Sequence, residues 1–322
     1  MTTTDVRIGT SGWQYPRGRG AWNGLFYPTR TRRSSGPRTG GAQRLDDLAY
    51  YAERFDTVEI NTSFYRPVSP DVARRWVERT PAGFEFSVKL YQKFTHPEMY
   101  MKSVGRPDAT IVQADLDDCF RGLEPFAATG KLGALLAQFP PRFKATDESR
   151  EYLAWLLETF RAFSLAVELR HRSWSDDAQR TLDLLNETGA AWVQIDEPKF
   201  RFSIRQDLLP NTRGFYYMRL HGRNAAQWWR HDRAEDRYDY LYSAEELDPF
   251  VDVARAIGAL VKKMYLYTNN HFAAKAAVNA IMLRDRMGLP NPGDYPAAFV
   301  EQYPEVRGLV AVQGSGETRK LF

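Results

Sequence analysis

The sequence predicts an α/β protein, a single TIM-type (β/α)8 barrel of parallel strands, and three observations predict it. Apolar β-branched and aromatic runs recur along the chain with helical spacers between them, the pattern of repeated βα units. Eight such runs are present. Five of them close on one pattern, two polar side chains flanking an apolar one: Glu59-Ile60-Asn61, Ser87-Val88-Lys89, Glu168-Leu169-Arg170, Gln194-Ile195-Asp196 and Arg219-Leu220-His221. Strand side chains alternate between faces, so both polar members of a triplet point the same way. A parallel sheet covered on both sides wants continuous apolar runs, and charges at spacing two oppose burial unless water or a ligand meets them. Repeated at the C-terminal strand ends, they describe a shared polar pocket in a barrel mouth. The competing reading is a dry network of paired charges that only fixes strand register.

The strands are read at 6–10, 57–61, 84–89, 132–138, 165–169, 191–195, 215–220 and 264–268. Apolar spacing of three and four places helices at 45–55, 70–79, 115–129, 147–162, 175–188, 243–261 and 272–287. Ser243, with Glu246 three residues on, reads as a capping box. The sixth unit is irregular, because 197–213 holds two prolines and no helical pattern. Residues 222–242 form a long loop on the C-terminal face; its Trp228 and Trp229 make it a binding wall, a lid or a simple anchor on the barrel. The barrel domain is expected over 1–289, followed by a C-terminal extension at 290–322.

Length and composition agree with one large domain. A chain of 322 residues can bury a sizeable core, and 14% aromatic residues suits broad apolar-walled sites. No apolar run is long enough to span a bilayer and no charged-then-apolar leader opens the chain, so no membrane partner is expected. Cys119 is the one cysteine, which excludes an internal disulfide and makes a reducing cytoplasm the expected location. Within DLDDCFRGLEPF it reads as a small core residue. The net charge of +4 is local: residues 29–44 carry five arginines and no acid, leaving about −1 elsewhere (+4 less +5). This Gly/Ser/Pro/Arg stretch reads as a solvated, flexible basic insertion, or alternatively as an arm on nucleic-acid phosphates.

The strand ends carry the chemistry. His96, His171, His221 and His271 fall in or just after strand-end segments, with His231 in the long loop. His221 shares the pocket-facing side of its strand with Arg219, which makes it the best proton carrier among them. Glu59 and Glu168 lie on the second and fifth strands, so a substrate could sit between two carboxylates dividing acid and base roles, with Asp196 a third candidate. On this reading Gln at position 59 or 168 would spare folding and abolish turnover. Each carboxylate could instead be the partner of Lys89, Arg170 or Arg219. Lys89 can form a Schiff base if desolvated or pair with a carboxylate or phosphate if not, and with Arg170 and Arg219 it favours an anionic or polyhydroxylated ligand. Asn269 and Asn270 precede a helix, where they cap it or help hold an anion. No cofactor is expected, since Walker, dinucleotide and nucleophile-elbow patterns are missing; a divalent metal stays open as an alternative for the acids and histidines, although their spacing does not support it.

Seven stretches then resemble a known family in order and spacing: IGTSGWQYPRGRGAWNGLFYP, YYAERFDTVEINTSFYRP, WVERTPAGFEFSVKLYQKFTHP, LLAQFPPRF, VELRHRSW, YYMRLHGR and YLYTNNHFAAKAAVNA. They are similar to the YecE-like family, domain of unknown function 72, over roughly residues 6 to 289. The resemblance implies a TIM-type barrel with a polar cleft at its C-terminal face. It adds Thr10, Ser11, Trp13, Tyr15, Tyr65, His96, Gln138, Trp174 and Asn279 to the motif positions Glu59, Asn61, Lys89, Glu168, Arg170, Arg219, His221, Asn269 and Asn270. Tyr267, inside the last motif, is counted with the ligand-binding set. The chain departs from the family pattern in its arginine-rich insertion at 29–44, in the tail after 290, in NTSFYR for NSTFYR, and in the smaller Ala137.

The expected function is acid–base enzymology on a polar small molecule, anionic or sugar-like. Glu59, Glu168, His221 and Lys89 are the catalytic candidates and the remaining mouth residues hold the ligand. The alternatives are a nucleic-acid binder using the basic insertion and the tryptophan loop, and a non-catalytic ligand sensor.

Overall fold

The computed structural model describes residues 4–29, 45–105, 107–206, 214–230 and 232–314. Arg30 to Arg44 of the basic insertion, His231 and residues 207–213 lie outside them. Nine parallel segments form one sheet: β1 (Asp5–Ser11), β2 (Thr57–Ile60), β3 (Glu85–Lys89), β4 (Leu132–Gln138), β5 (Leu165–Glu168), β6 (Ala191–Trp192), β7 (Gln194–Asp196), β8 (Tyr216–Leu220) and β9 (Lys263–Thr268). Their order is β6-β5-β4-β3-β2-β1-β9-β8-β7. The two ends of that order are successive segments parted only by Val193, so the sheet curls into a nearly closed barrel of eight staves with the sixth split. A side chain mends the split: Gln206 accepts from Ile195 N at 2.7 Å and donates to Val193 O at 2.6 Å.

Register assigns the faces. Laterally paired residues in a parallel ladder share a face, and Val58, Phe86, Val88, Leu135, Val167 and Leu266 fall together on the outer one. These buried side chains meet the surrounding helices and form the apolar core. Much of the inner face is polar and aromatic, with Leu136, Ala166 and Ile195 among its aliphatic members, where many barrels place branched aliphatics throughout. At the N-terminal end Glu85 takes Lys263 Nζ at 2.5 Å and Tyr265 OH at 2.6 Å. Midway, Tyr267 OH bonds Thr57 Oγ1 at 2.6 Å and Ser87 Oγ at 2.9 Å. Gly9 lets β1 lie tight on β2, since a Cβ there would stand 2.2 Å from Thr57 O.

The outer helices start where local chemistry supplies caps. Ser69 caps Pro70–Glu78, Thr146 caps Asp147–Thr159, and Ser243 with Glu246 forms the expected reciprocal box on Ala244–Gly258. Two short helices after β3, Gln92–Thr95 and Pro97–Val104, fall where no apolar periodicity marks them; Pro97 starts the second and left-handed Gly105 ends it. No helix follows β7 within residues 197–206. The C-terminal segment folds back on the first βα unit: β10 (Asp294–Tyr295) pairs with β11 (Ala311–Val312), and Tyr295 and Phe299 pack on Phe26. Arg54 donates to Asp294 O at 2.5 Å. Among the described residues no helix is long and apolar enough to cross a membrane.

Candidate functional site

Four of the five triplets converge at the C-terminal mouth. Arg219, from β8, crosses the barrel and grips Glu59 of β2 with two parallel bonds, Nε to Oε2 at 2.9 Å and Nη2 to Oε1 at 2.7 Å. Its Nη1 reaches Glu168 Oε2 at 2.5 Å and Gln138 Oε1 at 3.0 Å. Ser11 Oγ and Tyr217 OH each donate to Glu59 at 2.7 Å. Arg170 Nε donates to the other oxygen of Glu168 at 2.6 Å. Burial alone would raise the Glu168 carboxyl, but Arg219 and Arg170 hold it well below the usual carboxylate range.

This floor is dry. Glu59 and Glu168 have no exposed side-chain surface, and Arg219 and His221 expose 1% each. The expectation of a common open bowl for these four is therefore corrected: they form the paired network, which satisfies the charges internally. The solvent-reached layer lies one step up, in Lys89, Gln138, Arg170 and Asn61.

Lys89 Nζ donates to Gln138 Oε1 at 3.0 Å and sits 4.3 Å from the centre of the Phe64 ring. Burial, then the nearby Arg219, lowers its amine to about 7 against the pull of Glu168 and Glu59. His221 Nδ1 lies 2.8 Å from Asn269 Nδ2, and its Nε2 lies 3.3 Å from Arg170 Nη2, 3.4 Å from Arg219 Nη1 and 3.5 Å from Glu168 Oε1. Burial takes this imidazole down to about 3, so it is neutral at pH 7. His96 is likewise driven to about 3, by burial first and Lys89 second, and its ring meets Phe64 edge-on at 4.9 Å.

Other expected ligand residues sit elsewhere. Ile195 is the register partner of Arg219 and faces inward, so Asp196 faces out, where Arg223 at 2.8 Å and Tyr242 OH at 2.7 Å bind it. The fifth triplet thus points away from the mouth, a correction that follows from one residue of parity. Tyr267 lies below the floor in the middle layer. Thr10 is fully buried on the outer side and bonds Tyr51 OH at 3.0 Å. Trp174 is buried behind the barrel with Nε1 on Phe143 O at 2.8 Å. Asn270 is buried against Tyr240 O and Asn279 Oδ1, both at 2.7 Å. Trp13 packs edge-on against Trp76 at 5.0 Å, while Tyr65 is 69% exposed.

Aromatic groups wall the rest of the rim. Tyr15 stacks on His271 at 4.2 Å and Tyr238 covers the same imidazole at 4.6 Å, which burial lowers to about 3. Of the loop tryptophans, Trp228 is buried near His221, whereas Trp229 is 55% exposed and meets Phe200 and Phe202. Sequence reasoning missed two polar members. Tyr217 stands two residues before Arg219 on the same face, and that parity was the available signal. Glu197 follows the split sixth stave, which returns it to the parity of Ile195; it is 5% exposed and lies 3.4 Å from Arg170 Nη1. Among the described residues no three acids, histidines or cysteines are grouped as metal ligands would be.

A family model described as protein of unknown function DUF72 matches residues 7–299, so the match runs past residue 289 into the C-terminal segment. The UPF0759 protein YunF of Bacillus subtilis is 27% identical over 271 residues, 81% of this chain and 92% of that one. The crystal structure of a DUF72 family protein of Thermotoga maritima shares 30% identity, with a TM-score of 0.69 over 88% of this chain and 99% of its own. A DUF72 family protein of Enterococcus faecalis gives a TM-score of 0.71 at 22% identity, over 88% and 96%, a likeness of fold.

Proposed function

Because this chain belongs to the DUF72 family of proteins of unknown function, we propose a function from its rim: acid–base catalysis on a polar small molecule held at the C-terminal mouth of the barrel. One observation carries the reading. Lys89 is only partly buried as a residue, and burial of its amine, then the nearby Arg219, bring that amine to about 7, so near neutral pH it holds and releases a proton readily. Gln138 Oε1 joins it to Arg219, accepting from both at 3.0 Å, and so ties the amine to the fixed charges below. Arg170 extends over the same opening with 14% of its side chain exposed, a cation that can anchor an oxygen of the ligand. The floor acts as a preorganised field: its dipoles and charges are set before the ligand arrives.

Incubating the protein with pooled polar metabolites and following their masses tests this reading. The wild type is expected to consume at least one compound, and Lys89→Met to leave it untouched while keeping a native circular-dichroism spectrum. A pool unchanged by the wild type, or consumed equally by the variant, overturns it.

A further inference from the structure

Hydrogen-bonding capacity at the mouth is unevenly filled. On the floor, Glu59 accepts from Ser11, Tyr217 and Arg219, and Glu168 from Arg219 and Arg170. One layer up the pattern changes. Asn61 Oδ1, at the end of the second stave, and Glu197 Oε2, just past the sixth, are buried acceptors with no hydrogen-bond donor among the described residues. Arg170 stands beside Glu197 at 3.4 Å without hydrogen-bond geometry. Between the two acceptors, on the third to fifth staves, lie the partly open Lys89, Gln138 and Arg170. Lys89 uses one of its three donors, on Gln138.

A ligand completing this half-ring must offer donors to Asn61 and Glu197 and acceptors to Lys89 and Arg170. An oxyanion alone meets only the second demand, and the Glu197 carboxylate repels it. A hydroxyl donates and accepts at once. We infer that the rim from the second to the sixth stave takes a polyhydroxylated ligand, and that Glu197, rather than Glu59 or Glu168, accepts a ligand hydroxyl and removes its proton. The O–H bond breaks, the proton passes to the Glu197 carboxylate, and the electron pair stays on the ligand oxygen beside Arg170.

This rests on the enzymatic reading above and changes its working carboxylate. Glu59 and Glu168 cannot turn toward a ligand without leaving Arg219. Glu197 is faced by Arg170, Glu168, Lys199 and Asp196; burial raises its carboxyl above the ordinary value despite Arg170, the direction a base needs near neutral pH.

Protein carrying 13C at its glutamate carboxyls and 15N at its lysine amines tests the inference by NMR titration, with myo-inositol, glucose and gluconate as probes and inorganic phosphate as the control. Glu197→Gln assigns the signal, or Glu197→Asp should the first variant not fold. The Glu197 signal is expected to titrate above the ordinary glutamate range and to shift with a polyol probe, which the assigning variant binds at least tenfold more weakly. A signal titrating at or below the ordinary range, unmoved by every polyol, or moved by phosphate alone overturns the inference. Lys89 read in the same sample separates the two claims. An amine titrating near 7 beside a silent Glu197 refutes this inference alone, whereas one titrating at its ordinary value removes the observation behind the parent reading.

Discussion

Arg219 and Glu59 are joined across the barrel by two parallel hydrogen bonds of 2.9 and 2.7 Å, with 1% or less of either side chain exposed. Removing one partner of such a pair leaves a buried charge uncompensated, which costs ~3–5 kcal/mol. Arg219→Met is expected to lose about that much in urea unfolding, since it leaves Glu59 buried with only the hydroxyls of Ser11 and Tyr217 and Glu168 paired with Arg170 alone. Glu59→Gln is expected to lose a comparable amount, so the expectation that Gln spares folding there gives way to a structural role.

Glu168 makes stability acid-sensitive. Its carboxyl is held below the unfolded value of about 4.3, so the stabilisation is present above that pH and is lost as pH falls through the lower, folded value. Chemical denaturation from pH 6 to pH 2 should show this loss, and Glu168→Gln should flatten it.

His271 acts with the same sign by another route. Kept neutral between Tyr15 and Tyr238, it binds no proton in the folded protein until about pH 3, whereas the unfolded chain binds one near 6.5. Stability is therefore full above 6.5 and declines toward 3, at up to about 1.4 kcal/mol per pH unit. His271→Phe, which keeps the stack, should remove that part of the slope.

Lys89 is the kinetic counterpart. For any substrate turned over, the rate profile is expected to bend near pH 7, and Lys89→Met to cost roughly 10²–10⁴-fold in turnover. A profile flat from pH 5 to 9 in the wild type would remove Lys89 from the chemistry.

Ala273 and Ala274 both adopt left-handed backbone, with φ of 50° and 64°. For a residue with a Cβ this conformation costs roughly 1–2 kcal/mol, more than the unfolded-state entropy that glycine adds. Gly at either position is expected to raise thermal stability, read as an increased Tm by calorimetry.

The barrel was legible because its alternation is strict: Val58, Phe86 and Val167 face the helices while Glu59, Lys89 and Glu168 face inward. Lys89 and Arg170 were found by parity alone. Asp196 was misplaced for the same reason that Glu197 was overlooked, because a break at one residue inverts the faces beyond it and leaves no mark in composition. The dryness of the floor was hidden as well. It depends on Arg219 spanning to Glu59, a pairing between residues far apart in the chain. The helices at Gln92–Thr95 and Pro97–Val104 are too short for periodicity to declare them.

The mended split in the sixth stave sets where the cylinder can part. Gln206 stands in for a backbone amide between Val193 and Ile195, and one side-chain rotation frees both. Any breathing of the wall should begin along this seam, so the Ile195 amide should exchange its hydrogen sooner than its counterparts in the uninterrupted ladders.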